Sequence, residues 1–379
     1  MNQNSCEVAI IGGGLAGCSA AISLARAGQN IAIFESGSLP RHRVCGEFLS
    51  PESRAVLRRL GVENQLMNVG AREVGNARFL SGASGADFAL GDRAGLAISR
   101  YTLDPILWSA AQDAGAQTFL ETKVRGLQSH AAGYEFEANG EKWHADTVIL
   151  AAGRRVAPKP PTNESKTLFC GLKAHFVGVD LGIGTVEMHL FERGYCGLVR
   201  IEGDATNVCM MLDYRALPKG APDRFWERLL SRNPALESRF RGARRQTNWE
   251  ATANVSFERF RPAGGPNAEL NGDIPRGVLC AGDAAGYIHP LTGDGMAMAL
   301  RAGELGATCA RLSVAGMDNV EAARLYSAAW QREFAPRLQL AARLHPFALR
   351  PAWARPILPI LRHLPSLRNA MVRGTRGAF

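Results

Sequence analysis

Gly12, Gly14 and Gly17 stand in G-x-G-x-x-G spacing, between an apolar run at Val8–Ile11 and a stretch of small residues from about Leu15 to Ala27. Each glycine has a physical task in a strand-turn-helix unit. Gly12 permits the tight turn, Gly14 lets the backbone approach a pyrophosphate, and Gly17 brings helix and strand together. The helix start offers free N–H groups and the positive end of its dipole to phosphate. Gly28 ends the helix, Ile31–Phe34 forms a second strand, and Glu35 follows at its carboxyl end. A carboxylate at that distance accepts hydrogen bonds from a ribose diol. Strand, glycines, helix, strand and acid in this order predict a site for an adenine dinucleotide.

A second group of residues completes such a site from far along the chain. Residues 277–301 read GVLCAGDAAGYIHPLTGDGMAMALR. Val278–Ala281 is a buried strand, Gly282 and Asp283 sit at its carboxyl end, and Pro290 to Gly295 opens a helix. An open α/β sheet binds its ligand in that crevice. Asp283 is placed to accept a hydrogen bond from a ribityl hydroxyl. The N–H groups near Thr292–Met296 present a helix start to a flavin ring and would stabilise its anionic reduced form.

These residues need elements to hold them. Pro51–Leu60 reads as a helix, Ala71–Leu90 as hairpin material, and Thr102–Ala114 as an amphipathic helix with Thr102 as N-cap and Gly115 as stop. Thr118–Leu127, Gly133–Ala138 and Glu141–Trp143 read as short strands, and Thr147–Ala151 as a separate, fully apolar central strand. After the Pro-rich Val156–Pro161, the segments Leu168–Val179, Thr185–Leu190, Gly197–Ile201 and Ala205–Leu212 alternate with period two, which predicts a mostly antiparallel sheet. Pro222–Arg241 reads as helical and Thr252–Phe257 as a strand. The tail from Val314 reads as helices interrupted by prolines 346, 351, 356, 359 and 365. The expected domains are a discontinuous nucleotide-binding domain (1–75, 98–160 and 265–315), an inserted sheet domain (76–97 and 161–264) that forms the substrate wall, and a basic helical region (316–379).

Composition narrows the function. The 379 residues are 46% apolar and 21% charged, as in ordinary soluble globular proteins. No run reaches the ~18 apolar residues of a spanning helix, and no basic-plus-apolar leader precedes Val8. The eight cysteines include no C-x-x-C pair and no zinc spacing. A reducing, cytoplasmic setting without a structural metal is therefore expected. Of the net charge of +9, residues 331–379 supply +8, from nine arginines and the single acid Glu333. Because apolar residues are interleaved with these arginines, an anionic membrane surface suits the tail better than nucleic acid. A helical cap with solvated arginines is the alternative.

The chain resembles the FAD-dependent aromatic hydroxylase (flavoprotein monooxygenase) superfamily, and within it the geranylgeranyl reductase-like group. The likeness spans essentially the whole chain. It rests on Gly12–Gly17 with Glu35, the RVCGE loop at Arg43–Glu47, ISR at Ile98–Arg100 before D-P-I-L-W, DTVILAAG at Asp146–Gly153, and GDAAG with P-L-T-G-D-G. It implies an α/β fold: a Rossmann-like FAD domain of the glutathione-reductase type, the inserted antiparallel sheet and the helical tail. It further implies FAD contacts from Gly12, Gly14, Ala16, Gly17, Glu35, Arg43, Cys45, Gly46, Arg100, Val124, Gly282, Asp283, Gly293, Gly295 and Met296. Arg100 would lie near the phosphates, Cys45-Gly46 beside the isoalloxazine, and Asp283 on the ribityl chain.

Subfamily markers point to the reductase branch. Gly286 replaces the His usual after G-D-A-A in hydroxylases, and Ala152-Gly153 replaces their Asp-Gly. The Tyr195-Cys-Gly-Leu-Val stretch lacks the Trp and Pro of many prenyl reductases, and the halogenase Trp-x-Trp-x-Ile-Pro motif is missing. Reduction of an activated double bond by reduced FAD is the first expectation. Hydroxylation through a flavin hydroperoxide is the second, and electron transfer to a quinone pool the third. With one G-x-G-x-x-G, the reductant would be transient NAD(P)H or a reduced carrier. Cys45, Glu47, Tyr195 and His289 are the candidates for supplying the proton or positioning the substrate. Cys45 beside Arg43 could have a lowered thiol pKa, or be buried as a small hydrophobe. Leu168, Phe169, Phe176, Val177, Met188, Met210 and Met211 form an apolar set for the wall of a lipophilic substrate's site.

Overall fold

The computed structural model describes residues 4–130, 132–155, 169–217, 222–255, 274–286 and 289–376. The Pro-rich Val156–Pro161, Leu168 and the end of the strand expected at Thr252–Phe257 lie outside them. Ser5–Ile11 is the central strand of a seven-stranded sheet, parallel to Ile31–Phe34 on one side and Glu141–Leu150 on the other. Leu279–Cys280 extends the sheet parallel to Ile149 and Leu150, so the second cofactor motif leaves the same sheet edge as the first. Apolar side chains run through these strands because helices cover the sheet. The helix Leu15–Arg26 packs on Gly295–Val314, and a side chain at Gly303 would collide with the Ala16 carbonyl.

Two of the expected strands are one. Glu141–Leu150 runs unbroken, pairing antiparallel with Gly133–Ala138 in its first half and parallel with Ser5–Ile11 along most of its length. In its first part buried Trp143 and Ala145 alternate with exposed Lys142 and Asp146, because one face meets water there, and from Thr147 on both faces are buried. The helix expected from Thr102 begins at Arg100, and Ser99 is the cap, its hydroxyl accepting from Thr102 N at 3.1 Å.

The second sheet has eight strands and draws on Asn76–Ser81, Ser84–Ala89, Phe169–Val177, Thr185–Phe191, Gly194–Arg200, Thr206–Asp213, Arg244–Arg245 and Glu250–Val255. All neighbours are antiparallel except Asn76–Ser81 and Thr185–Phe191. The period of two decides its faces. On Phe169–Val177, the side chains of Cys170, Leu172, Ala174 and Phe176 join a core with Phe225 and Trp226 of the helix Pro222–Arg232 and with Phe240, which ends the helix Pro234–Arg239. Lys173 and His175 therefore point the other way, toward the first sheet.

The tail folds against this second sheet. Asn319–Leu349 passes through Pro336 and Pro346 without breaking, and Pro351–Arg362 passes through Pro356 and Pro359. The chain breaks only before Pro351 and Pro365, which stand at helix starts where a missing N–H costs nothing. Ala354, Leu358 and Leu361 are buried in a core with Phe88, Met188 and Tyr195.

Candidate functional site

A continuous cavity of about 1530 Å³ lies between the two sheets and the tail. Single-ligand pockets span roughly 300–1,000 Å³, so this one has room for a large cofactor and a second molecule. Its walls change character from end to end. At the first sheet they are backbone and charge: Gly12, Gly14, Glu35, Arg43, Arg100 and Asp283. At the second sheet they are apolar: Phe79, Met188, Leu190, Met211, Leu358 and Val372.

The glycine turn has the geometry that its spacing predicts. Gly12 has φ +112°, and a side chain there would collide with the Ala151 carbonyl. One at Gly17 would collide with the Gly12 carbonyl. Gly14 is the N-cap of the first helix, makes no side-chain cap bond, and has open space where a Cβ would be. Free N–H groups at a helix start, facing a cavity with no side chain in the way, fit a phosphate. Glu35 accepts from Gly13 N at 3.0 Å and Gly37 N at 2.9 Å. Burial opposes its ionisation, but Arg41 at 2.8 Å and Arg43 hold its carboxyl below the usual range.

Arg43 and Arg100 share a carboxylate that sequence reasoning missed. Asp104, buried one turn into the helix, receives Arg100 Nε at 2.5 Å and Nη2 at 2.8 Å, and Arg43 Nε lies 3.2 Å away. Asp104 overcomes the effect of burial and raises the Arg100 pKa, while burial and the Arg100 charge lower that of Arg43. A cation fixed this way keeps its position in the cavity wall. Asp104 was legible only as an i+4 partner of Arg100.

The Cys45-Gly46-Glu47 loop crosses the middle of the cavity. Burial pushes the Cys45 thiol up, against the opposing pull of Arg100, so of the two readings of Cys45 the site produces the buried thiol and not the lowered pKa. Asn207 Nδ2 donates to the Cys45 carbonyl at 3.0 Å and ties the loop to the second sheet. Nothing approaches within 4 Å of where a Gly46 side chain would stand. Glu47 has φ +53°, an uncommon conformation for a residue with a Cβ. Its fully buried carboxylate meets Lys173 Nζ at 3.0 Å, His175 Nε2 at 2.7 Å and the Arg100 N–H at 2.9 Å. Lys173 also reaches His42 Nδ1 at 3.4 Å, and His42 stacks on Tyr101. Lys173, His175 and His42 were not expected in the site. The available signal was a Lys and a His two residues apart in an apolar strand, which put both on one face.

The 282–296 motif forms the opposite wall. Gly282 has φ +62°, and burial raises the Asp283 carboxyl against the charges of Arg154, Arg100 and Arg43. Gly293 (φ +72°) turns the chain into the helix that starts at Gly295, and Gly293, Gly295 and Met296 line the cavity. Asp294, fully buried before that helix, takes Arg376 of the tail at 2.5 Å; burial, against Arg376, pushes its carboxyl up to about 7. Ala16 and Val124 also line the cavity.

Among the proton candidates, Tyr195 lines the apolar end, with burial raising its phenol. His289 does not face the cavity. Its ring lies 4.0 Å from that of His345 on the long tail helix, and burial and His345 lower it to about 3. The reason is the turn at Pro290–Thr292, which aims Leu291 at the cavity instead. In the expected substrate wall, Met188, Met210 and Met211 line the cavity. Phe176 belongs to the core behind the sheet, Phe169 packs on His345, and Val177 is not in the lining.

These features define a class. Residues 5–156 match the FAD binding domain family, and the chain is an FAD-dependent oxidoreductase similar to the superfamily that includes the aromatic hydroxylases. Relatives matching nearly its full length include a menaquinone reductase of Mycolicibacterium smegmatis, 25% identical over 97% of this chain and 90% of that protein. Digeranylgeranylglycerophospholipid reductase 2 of Methanopyrus kandleri is 26% identical over 88% of this chain and 84% of its own. Among solved structures, the flavin-dependent brominase Bmp2 has the same fold at a TM-score of 0.81 and 19% identity, covering 98% of this chain and 93% of that one. A geranylgeranyl bacteriochlorophyll reductase-like protein of Thermoplasma acidophilum gives 0.71 at 20% identity, covering 97% and 92%.

Proposed function

We propose that this protein uses FAD to reduce a carbon-carbon double bond in a lipophilic, isoprenoid-like molecule. The observation that carries this reading is the single cavity with a polar, glycine-lined end and a long apolar end that meet at the Cys45–Glu47 loop. The open space at Gly14 fits a pyrophosphate, with Gly12, Ala16, Glu35, Arg43, Arg100 and Val124 around the adenine and phosphate half, while Gly17, outside the cavity lining, holds the helix against the glycine turn. Asp283 would hold the ribityl chain, and Cys45, Gly46, Gly282, Gly293, Gly295 and Met296 would surround the ring. FAD supplies a hydride when reduced by NAD(P)H or a carrier. The chain's own part is to orient the double bond against the Met188–Tyr195–Met211 wall, exclude water and deliver the second hydrogen as a proton. Glu47 and Cys45 border the point where the two ends meet, and Tyr195 lines the apolar end beyond it. The named activities of the menaquinone and digeranylgeranyl lipid reductases support a lipophilic substrate. The basic tail supports a cytoplasmic protein that meets this substrate at the inner face of a membrane.

The test is rapid mixing of the dithionite-reduced protein with oxygen, followed by incubation of the reduced protein with a polyprenyl lipid and mass analysis. A gain of two mass units per reduced bond, with direct flavin reoxidation by oxygen, supports the reading. A long-lived absorbing species between the reduced and oxidised spectra, with oxygen incorporated in the product, assigns a hydroxylase instead.

A further inference from the structure

The helix Pro351–Arg362 is apolar on two adjacent stripes, and its own fold covers only one. Pro351, Ala354, Leu358 and Leu361 recur on successive turns and are buried against the second sheet. Trp353, Ile357 and Ile360 recur at spacings of four and three on this helix, Leu364 follows in the turn and Leu367 in the next helix, and all are exposed. Ile360 is 57% exposed. A surface helix ordinarily turns charged residues to water on that side. Here Arg350 lies over the Trp353 ring, arginines 343, 355, 362 and 373 of the same segment are exposed, and no acid occurs between 334 and 376. Phe347 and Ile357 belong to both surfaces: they line the cavity and are 41% and 39% exposed. The cavity therefore reaches the outside of the molecule at this stripe. No helix among the described residues is long and apolar enough to cross a membrane.

We infer that the 353–367 stripe docks in an anionic bilayer surface and that the gap at Phe347 and Ile357 is the portal through which an apolar chain passes from the bilayer into the cavity. The inference rests on the lipophilic-substrate reading. Charge complementarity selects the occupant: an apolar ridge enters the boundary of the acyl chains, while the surrounding arginines meet anionic headgroups. A protein partner would need acids to match these arginines and would not continue into a lipid-sized cavity. Leu358 and Val372, on the cavity side of the same two helices, carry the apolar path inward.

Flotation of the intact FAD-loaded protein with vesicles tests the surface. Wild-type protein should float with phosphatidylglycerol vesicles at low salt, at least fivefold less at 0.5 M salt, and little with phosphatidylcholine alone. Ile360→Glu with Leu364→Glu should lower recovery at least fivefold at unchanged flavin content. Equal binding to both vesicle types, no binding, or wild-type recovery of the double variant overturns the docking surface. Labelled geranylgeraniol tests the portal. Both proteins should take it up from detergent micelles, and only the wild type from vesicles. If the variant matches wild type from vesicles, the portal is wrong. If neither protein takes it up from micelles, the lipophilic-substrate reading fails and the inference falls with it.

Discussion

Glu47 is one of four sequence candidates for supplying the proton or positioning the substrate, and the structure gives it three partners before any substrate arrives. A buried carboxylate held by a buried Lys, a His and a backbone N–H is stable only while the set is complete. Removing one partner of a buried pair typically costs about 3–5 kcal/mol, because the other charge is left uncompensated. Lys173→Met should therefore destabilise the protein by that order in urea unfolding, and adding Glu47→Gln should recover most of the loss. Additive effects would show that the pair is not coupled. At Gly14 the expectation is about space: Gly14→Val puts a side chain where a phosphate would lie and should yield colourless protein with an unchanged circular dichroism spectrum. Yellow protein with full flavin content would place the cofactor elsewhere. Cys45→Ser should keep FAD but slow turnover at least tenfold if the thiol borders the reacting centre, a change of about 1.4 kcal/mol. Unchanged turnover would make Cys45 a packing residue.

The turn at Pro290–Thr292 and the long tail helix meet through two histidines, and this contact should be visible in the pH dependence of stability. Burial lowers His289 to about 3 and His345 to about 4 from an ordinary 6.5. Below pH 6.5 the unfolded chain takes up protons that the folded one refuses. Their stabilising contribution is thus complete above 6.5 and is lost as pH falls toward 4. Asp294, raised to about 7, acts in the opposite direction over the same window, so the test is a difference: between pH 7 and pH 5 the melting temperature of wild type should fall further, or rise less, than that of His345→Phe. A variant with the wild-type slope would show that the pair does not titrate in this way. Legibility divides at this scale too. The glycine turn, the first helix and the period-two strands were readable because their signals are local. The cap is Ser99, one turn before the expected Thr102, because both are good capping residues and the local sequence does not separate them. Prolines 346, 356 and 359 were overvalued as breakers, since burial of Ala348, Ala354, Leu358 and Leu361 outweighs the lost hydrogen bonds. Lys173, Asp104 and Arg376 escaped notice because their significance lies in partners, and for Lys173 and Arg376 these are 126 and 82 residues away.

In the whole molecule, the proposed FAD site is drawn from both parts of the sequence. The Ser19 hydroxyl donates to the Leu300 carbonyl at 2.7 Å, across 281 residues, and Leu279–Cys280 joins a sheet whose other members all precede residue 151. This geometry orders events in time. A ribosome releases some five to twenty residues each second, so the strand Ser5–Ile11 and its glycine turn emerge well before the segment that completes their sheet. During that interval the nascent chain shows an apolar sheet edge beside Glu141–Leu150 and an uncovered first helix, surfaces on which chaperones act. Contacts this distant in sequence also form slowly. Flavin capture should consequently be among the last steps of maturation. In refolding from urea with free FAD, recovery of far-ultraviolet dichroism should precede the change in flavin fluorescence. Simultaneous changes would mean that the N-terminal half captures the cofactor before the chain closes.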